Sequence, residues 1–84
     1  MAGTVHTDAY RAFLSALVQA RQDAGMSQAD LANHLRKPPS FVGKYELGER
    51  RLDVIELLVI LKILEVDFSK LRGAFDHTLP ADLR

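Results

Sequence analysis

The side chains best suited to chemistry with a partner are cations, and they are unevenly placed. Between Arg36 and Arg51 stand Arg36, Lys37, Lys44, Arg50 and Arg51 against only Glu46 and Glu49, a local excess of three positive charges. From Asp53 onward Lys62, Lys70, Arg72 and Arg84 meet Asp53, Glu56, Glu65, Asp67, Asp76 and Asp82, a local excess of two negative charges. The whole chain is neutral, with 11 Lys plus Arg and 11 Asp plus Glu, so it is not a protein whose entire surface embraces polyanions. One local patch that attracts phosphate is expected instead. Ser27 and Gln28 add to it, because they sit where a helix is expected to begin. There the free backbone N–H groups and the positive end of the peptide dipoles hold an anion, and Gln28 supplies a side-chain donor. Plain capping of that helix is the competing reading for both residues.

Other chemistries find little support. His6, His34 and His77 are widely spaced, no H-E-x-x-H occurs and there is no cysteine, so neither a metal site nor a disulfide is expected. Neither G-x-x-x-x-G-K nor G-x-S-x-G is present, and no cofactor or enzyme activity is expected. His34 reads as a surface side chain. The nearly apolar stretch from Val54 to Leu64 is interrupted by Glu56 and Lys62 and is shorter than the roughly 20 residues of a membrane span. Residues 1–8 show neither a basic n-region nor an apolar h-region. A cytoplasmic protein without a membrane partner is the expectation.

The elements that must position the cations are helices. Tyr10, Phe13, Leu14, Leu17, Val18 and Arg21 recur with the period of an amphipathic helix, started by Thr7 or Asp8 and stopped at Gly25. Ser27, with Asp30 three residues on, opens a second helix whose Leu31, Ala32 and Leu35 share a face. Pro38 and Pro39 are expected to end it, Pro38 by biasing Lys37 away from helical angles and Pro39 by opening a third helix that runs to about Glu46 and is closed by Gly48. Asp53 and Glu56 form a D-x-x-E capping box for a fourth helix to about Leu64, and Asp67 caps a fifth carrying Phe68 and Leu71. No alternation typical of strands competes, so the fold class is all-α with five short helices. With 84 residues and 48% apolar side chains the chain fits one small domain. We expect an N-terminal arm at 1–9, a folded body at 10–75 and a loosely ordered C-terminal tail at 76–84.

The second and third helices, joined by a short turn inside the basic segment, have the layout of a helix-turn-helix. Arg21, Gly25, Met26, Ser27, Gln28, Leu31, Ala32 and Leu35, then Val42, Tyr45, Glu46 and Gly48, then Leu57, Leu58, Ile60, Leu61 and Leu64, resemble the Cro/C1-type helix-turn-helix domain of phage repressors and small bacterial regulators. The resemblance covers roughly Leu17 to Leu71, and "GMSQADLA" followed by "YELGERRLD" carries it. It implies a lambda-repressor-like fold and a homodimeric, sequence-specific, repressor-like transcription regulator that binds a near-palindromic site on double-stranded DNA. By that resemblance Pro39, Ser40, Gly43 and Lys44 read bases, and Ser27, Gln28, Arg36, Lys37, Arg50 and Arg51 touch phosphates. Arg21 pairs with Glu46 and shares itself with a phosphate. Arg36 departs from the pattern, which often has glycine at that turn, so it must be strained or the turn must differ.

Chemistry supports those base-reading roles: Lys44 reaches guanine O6 or N7, Ser40 donates or accepts, and Pro39 meets a thymine methyl. Gly43 inside a helix costs about 1 kcal/mol relative to alanine, which makes sense if backbone must approach DNA closely. Val42 belongs to the core, while Phe41 is either an exposed reader or a staple. Ten of the thirteen residues from Val54 to Val66 are apolar, more than one core face requires. Val54, Leu57, Leu58, Leu61 and Leu64 are assigned to the core, and by the resemblance Ile60 also matches a core position. Ile55, Val59 and Ile63 are left as a stripe for a second copy of the chain, with Phe75 and Leu79 closing the interface. A different class of function uses the same stripe: an antitoxin-like module that masks a toxin or other protein partner through the fourth helix and the tail.

Overall fold

The computed structural model describes residues 7–83. Its α-helices are α1 (Asp8–Asp23), α2 (Gln28–Leu35), α3 (Ser40–Glu46), α4 (Val54–Leu64) and α5 (Phe68–Gly73), followed by a 3₁₀ turn at Asp76–Thr78. No strand occurs among the described residues. His6 and most of the expected N-terminal arm lie outside the described residues, as does Arg84.

Local chemistry sets the helix starts. Thr7 Oγ1 accepts the Tyr10 N–H at 3.1 Å, so Thr7 caps α1 and Asp8 becomes its first residue. Reciprocal capping boxes open α2 and α4. Ser27 Oγ accepts from Asp30 N (3.0 Å) and Asp30 Oδ2 from Ser27 N (2.9 Å). In α4, Asp53 Oδ1 accepts from Glu56 N (2.8 Å) and Glu56 Oε1 from Asp53 N (3.0 Å). Each box satisfies two backbone donors that a helix start leaves free. Asp67 stands at the N-cap of α5 without a side-chain cap bond, contrary to expectation, and only its carbonyl is engaged, by Lys70 N and Leu71 N.

The helix ends differ more from expectation. Gly25 stops α1 at φ +73°, a conformation glycine adopts without strain. The end of α2 is set by Arg36 before the proline pair is reached. Arg36 is left-handed at φ 57°, ψ 44°, and its N–H and that of Lys37 close on Asn33 O and Ala32 O. Glu65 ends α4 the same way at φ 59°. Pro39 flanks α3 at its N-cap, so the helix proper begins at Ser40.

The core gathers Leu14 and Leu17 of α1, Leu31 and Ala32 of α2, Phe41, Val42 and Tyr45 of α3, Leu57, Ile60, Leu61 and Leu64 of α4, and Leu71 of α5. Leu17, Leu31, Val42, Tyr45 and Ile60 are fully buried, and the four aliphatic side chains among them each contribute about 1.5–3 kcal/mol from removal of apolar surface. One expectation is corrected here. The inward face of α4 is Leu57, Ile60, Leu61 and Leu64; Val54 and Leu58, assigned to the core from sequence, are exposed, and Ile63 is half-buried against the core. Phe75 lies edge-on to Phe13, with ring centroids 5.5 Å apart, and the 3₁₀ turn follows directly. No helix among the described residues is long and apolar enough to cross a membrane.

Candidate nucleic-acid interface

Three helix ends meet at one carboxylate. Arg21, at the end of α1, donates from Nε to Glu46 Oε2 at 2.8 Å and from Nη2 to Glu46 Oε1 at 3.2 Å, and its Nη1 donates to Met26 O at 2.8 Å. Gln28, the first residue of α2, donates from Nε2 to Glu46 Oε1 at 2.9 Å. The side chains of Arg21 and Glu46 are only 10% and 6% exposed. The hydrogen bond from Arg21 to Glu46 raises the guanidinium's pKa further, against the opposing effect of its burial. This junction fixes the C-terminus of α3 relative to α1 and to the start of α2. A buried, bidentate arginine–carboxylate pair is directional as well as strong, which suits it to orienting a helix.

With its end fixed, α3 divides by face. Phe41, Val42 and Tyr45 point into the core, whereas Pro39, Ser40 and Lys44 are exposed and Gly43 is half-exposed. Of the two readings of Phe41, exposed reader or staple, burial excludes the first. A Cβ at Gly43 would stand 3.5 Å from Gln28 Oε1, an ordinary contact, so packing within the chain does not require glycine there. Ser27 and Gln28 are exposed beside it at the start of α2. The Asp30 carboxyl is held below its ordinary pKa, first by the Ser27 backbone N–H.

Three of the cations around α3 lie over aromatic rings. Lys37 Nζ is 5.5 Å and Arg50 Cζ 4.6 Å from the centroid of Phe41, and Arg51 Cζ is 4.7 Å from that of Tyr10. Such contacts contribute about 0.5–1 kcal/mol at exposed sites and restrict where a flexible cation points. Arg36 and Lys37 are exposed in the turn before α3. Arg50 is committed elsewhere: Nη1 and Nη2 donate to Glu56 Oε1 and Oε2 at 3.0 and 2.7 Å, and Nη1 also to Arg51 O at 2.9 Å. The bond from Arg50, and after it the Asp53 N–H, pull the Glu56 carboxyl down to about 2.

The structure therefore leaves Pro39, Ser40 and Lys44 exposed and Gly43 half-exposed, sets Gln28 beside Gly43, leaves Ser27, Arg36 and Lys37 exposed, and turns Arg21 inward. The expectation that Arg21 also serves a phosphate is corrected by its burial and by its three donor bonds within the chain. Sequence reasoning missed the Arg50–Glu56 pair. The one available signal was that Glu56, as a capping-box residue, would be held near the loop that carries Arg50. Among the described residues no group of His, Asp or Glu side chains could hold a metal ion. His34 is exposed, with Nδ1 2.9 Å from Asp30 O.

Two short helices at the head of a small core, with the outward face of the second beside the N-terminus of the first, define a helix-turn-helix domain. The helix-turn-helix family model matches residues 17–71, and the chain belongs to this family. Its XRE-type members are DNA-binding transcription regulators. A solved structure of an XRE-family like protein from Pseudomonas syringae pv. tomato str. DC3000 is similar, with 40% sequence identity and a TM-score of 0.78. The match covers 92% of this chain and 94% of that one. No functionally curated protein matches the chain.

Beyond the junction, α4 exposes an apolar strip made of Val54 (65% exposed), Ile55 (65%), Leu58 (47%) and Val59 (44%). Of the residues expected to face a second copy, Ile55, Val59 and Leu79 are exposed, Ile63 is half-buried, and Phe75 is packed on Phe13 of its own chain.

Proposed function

We propose that the chain is a homodimeric, cytoplasmic, repressor-like transcription regulator that lays α3 in the major groove of a near-palindromic operator. The observation that supports it is the division of α3, whose inward residues are the core side chains Phe41, Val42 and Tyr45 with Glu46 in the buried junction, and whose outward residues are a serine, a glycine and a lysine able to meet base edges. Ser40 and Lys44 hydrogen-bond to bases, Pro39 meets a thymine methyl, and Gly43 lets the backbone come close. Ser27 and Gln28 at the start of α2, with Arg36, Lys37 and Arg51, take the flanking phosphates. Because these contacts release counterions, affinity falls roughly a thousandfold or more between low and moderate salt if each subunit neutralises several phosphates.

The two-fold mate packs on Val54, Ile55, Leu58 and Val59, which sets two recognition helices about 34–36 Å apart on one face of the duplex. A second reading, a module that masks another protein, rests on the same exposed strip. Val59→Asp tests both, because a charge buried without a partner at a symmetric contact is costly. Sedimentation of this variant as a monomer with weak operator binding supports the dimer. A chain that is monomeric before mutation, or a variant that stays dimeric and binds normally, removes the strip from that role. Lys44→Ala and Ser40→Ala relax preference at particular base pairs by about 1–3 kcal/mol each, whereas Lys37→Ala weakens all sequences alike. Equal losses on operator and random DNA for all three contradict the assignment.

A further inference from the structure

The Arg50–Glu56 pair bears on DNA selection, on the DNA-binding reading above. Arg50 is one of five cations in the positive segment, and Glu56 neutralises it within the chain through two parallel N–H to oxygen bonds of 3.0 and 2.7 Å. A guanidinium has five N–H donors. With the third bond, to Arg51 O, only the Nε hydrogen and one on Nη2 lie outside these contacts. The guanidinium also rests 4.6 Å from the centre of the Phe41 ring, and Phe41 is part of α3. Glu56 is itself fixed, since its Oε1 accepts the Asp53 N–H in the capping box of α4 and cannot follow Arg50 outward. A carboxylate in this fork presents the same pair of acceptor oxygens as a phosphate, so the two compete for the same donors.

We propose that Glu56 is a specificity-determining residue: by holding Arg50 in an internal pair, it withholds one cation from the DNA backbone and lowers sequence-independent binding, leaving selection to the outward face of α3. Sequence-independent affinity comes almost entirely from phosphate contacts, so removing one such contact lowers random binding without touching any base.

The test measures binding to a pool of random-sequence duplexes across a salt series for the wild type, Glu56→Gln, Arg50→Gln, the double variant and Glu65→Gln. Glutamine keeps the acceptor that caps α4, so Glu56→Gln retains its helical circular dichroism. Glu65→Gln makes the same change in net charge at an exposed residue beyond the end of α4. In Glu56→Gln the released arginine steepens the salt slope by ~0.9 per subunit, which is about eightfold tighter random binding per subunit at 0.1 M salt. Glu65→Gln gives a much smaller gain, and the gain from Glu56→Gln vanishes when Arg50 is also replaced. A gain in Glu56→Gln no larger than in Glu65→Gln, or one that persists without Arg50, overturns the proposal. Failure of every form to bind any duplex overturns the DNA-binding reading beneath it.

Discussion

Glu46→Ala should be among the most damaging single changes outside the apolar core. It removes the acceptor of three hydrogen bonds, two from Arg21 and one from Gln28. It also leaves the Arg21 guanidinium buried without its counter-charge. Breaking a buried pair from one side costs about 3–5 kcal/mol. A domain of 84 residues has a total stability of roughly 4–13 kcal/mol, so this single change consumes a large share of it. At about 4–8 °C per kcal/mol, the midpoint of thermal unfolding falls by roughly 12 °C or more. Much of that loss comes from the stranded charge, so Arg21→Met combined with Glu46→Leu should recover most of it, because well-packed apolar groups replace buried ion pairs at little cost. Urea unfolding followed by helical circular dichroism measures both. A Glu46→Ala penalty below about 1 kcal/mol, or a double variant no more stable than the single one, would refute the view that this junction anchors α3.

Three further outcomes follow from local geometry. Arg36→Gly relieves a left-handed residue and should stabilise the fold by about 1 kcal/mol in the same unfolding assay, while its lost cation lowers the salt slope of DNA binding by ~0.9 per subunit. Gly43→Ala adds a Cβ whose nearest neighbours are atoms of the Gln28 amide, the closest being Oε1 at an ordinary 3.5 Å, and should raise stability by about 1 kcal/mol. If α3 backbone lies against DNA, the same variant binds its operator more weakly, and unchanged binding removes the reason for glycine. Glu56 titrates in the folded chain at about 2 against an ordinary 4.5, so the stability it contributes is complete above pH 4.5 and is lost as pH falls from there toward 2. In Arg50→Gln the Glu56 titration followed by carbon NMR should move up toward 4.5, and no movement would show that Arg50 is not the cause.

The order and type of the helices were legible because caps and stops are local chemistry. Ser27 with Asp30, and Asp53 with Glu56, mark their helix starts in sequence and in space. The end of α2 was misread because sequence reasoning expects glycine at a left-handed position, and here arginine and glutamate occupy two such positions. The inward face of α4 was displaced because the helix is apolar nearly all the way round, so periodicity alone gives no direction. Ile60, fully buried, rotates the core arc away from Val54 and Leu58. The outward residues of α3 could be named from the resemblance and the helical period. The engagement of Arg50 could not, because it depends on how a loop returns to the first turn of α4, which no periodic pattern encodes.

On the proposed function, the outward face of α3 selects a DNA sequence. Selection of binding sites from a pool of random duplexes by the full chain tests it most directly, with Lys44→Ala run in parallel. One enriched, near-palindromic motif whose half-sites lie about one helical turn apart is expected, with loss of preference at a symmetry-related pair of positions in Lys44→Ala. A pool that shows no enriched motif, or a motif unchanged by Lys44→Ala and by Ser40→Ala, would contradict it.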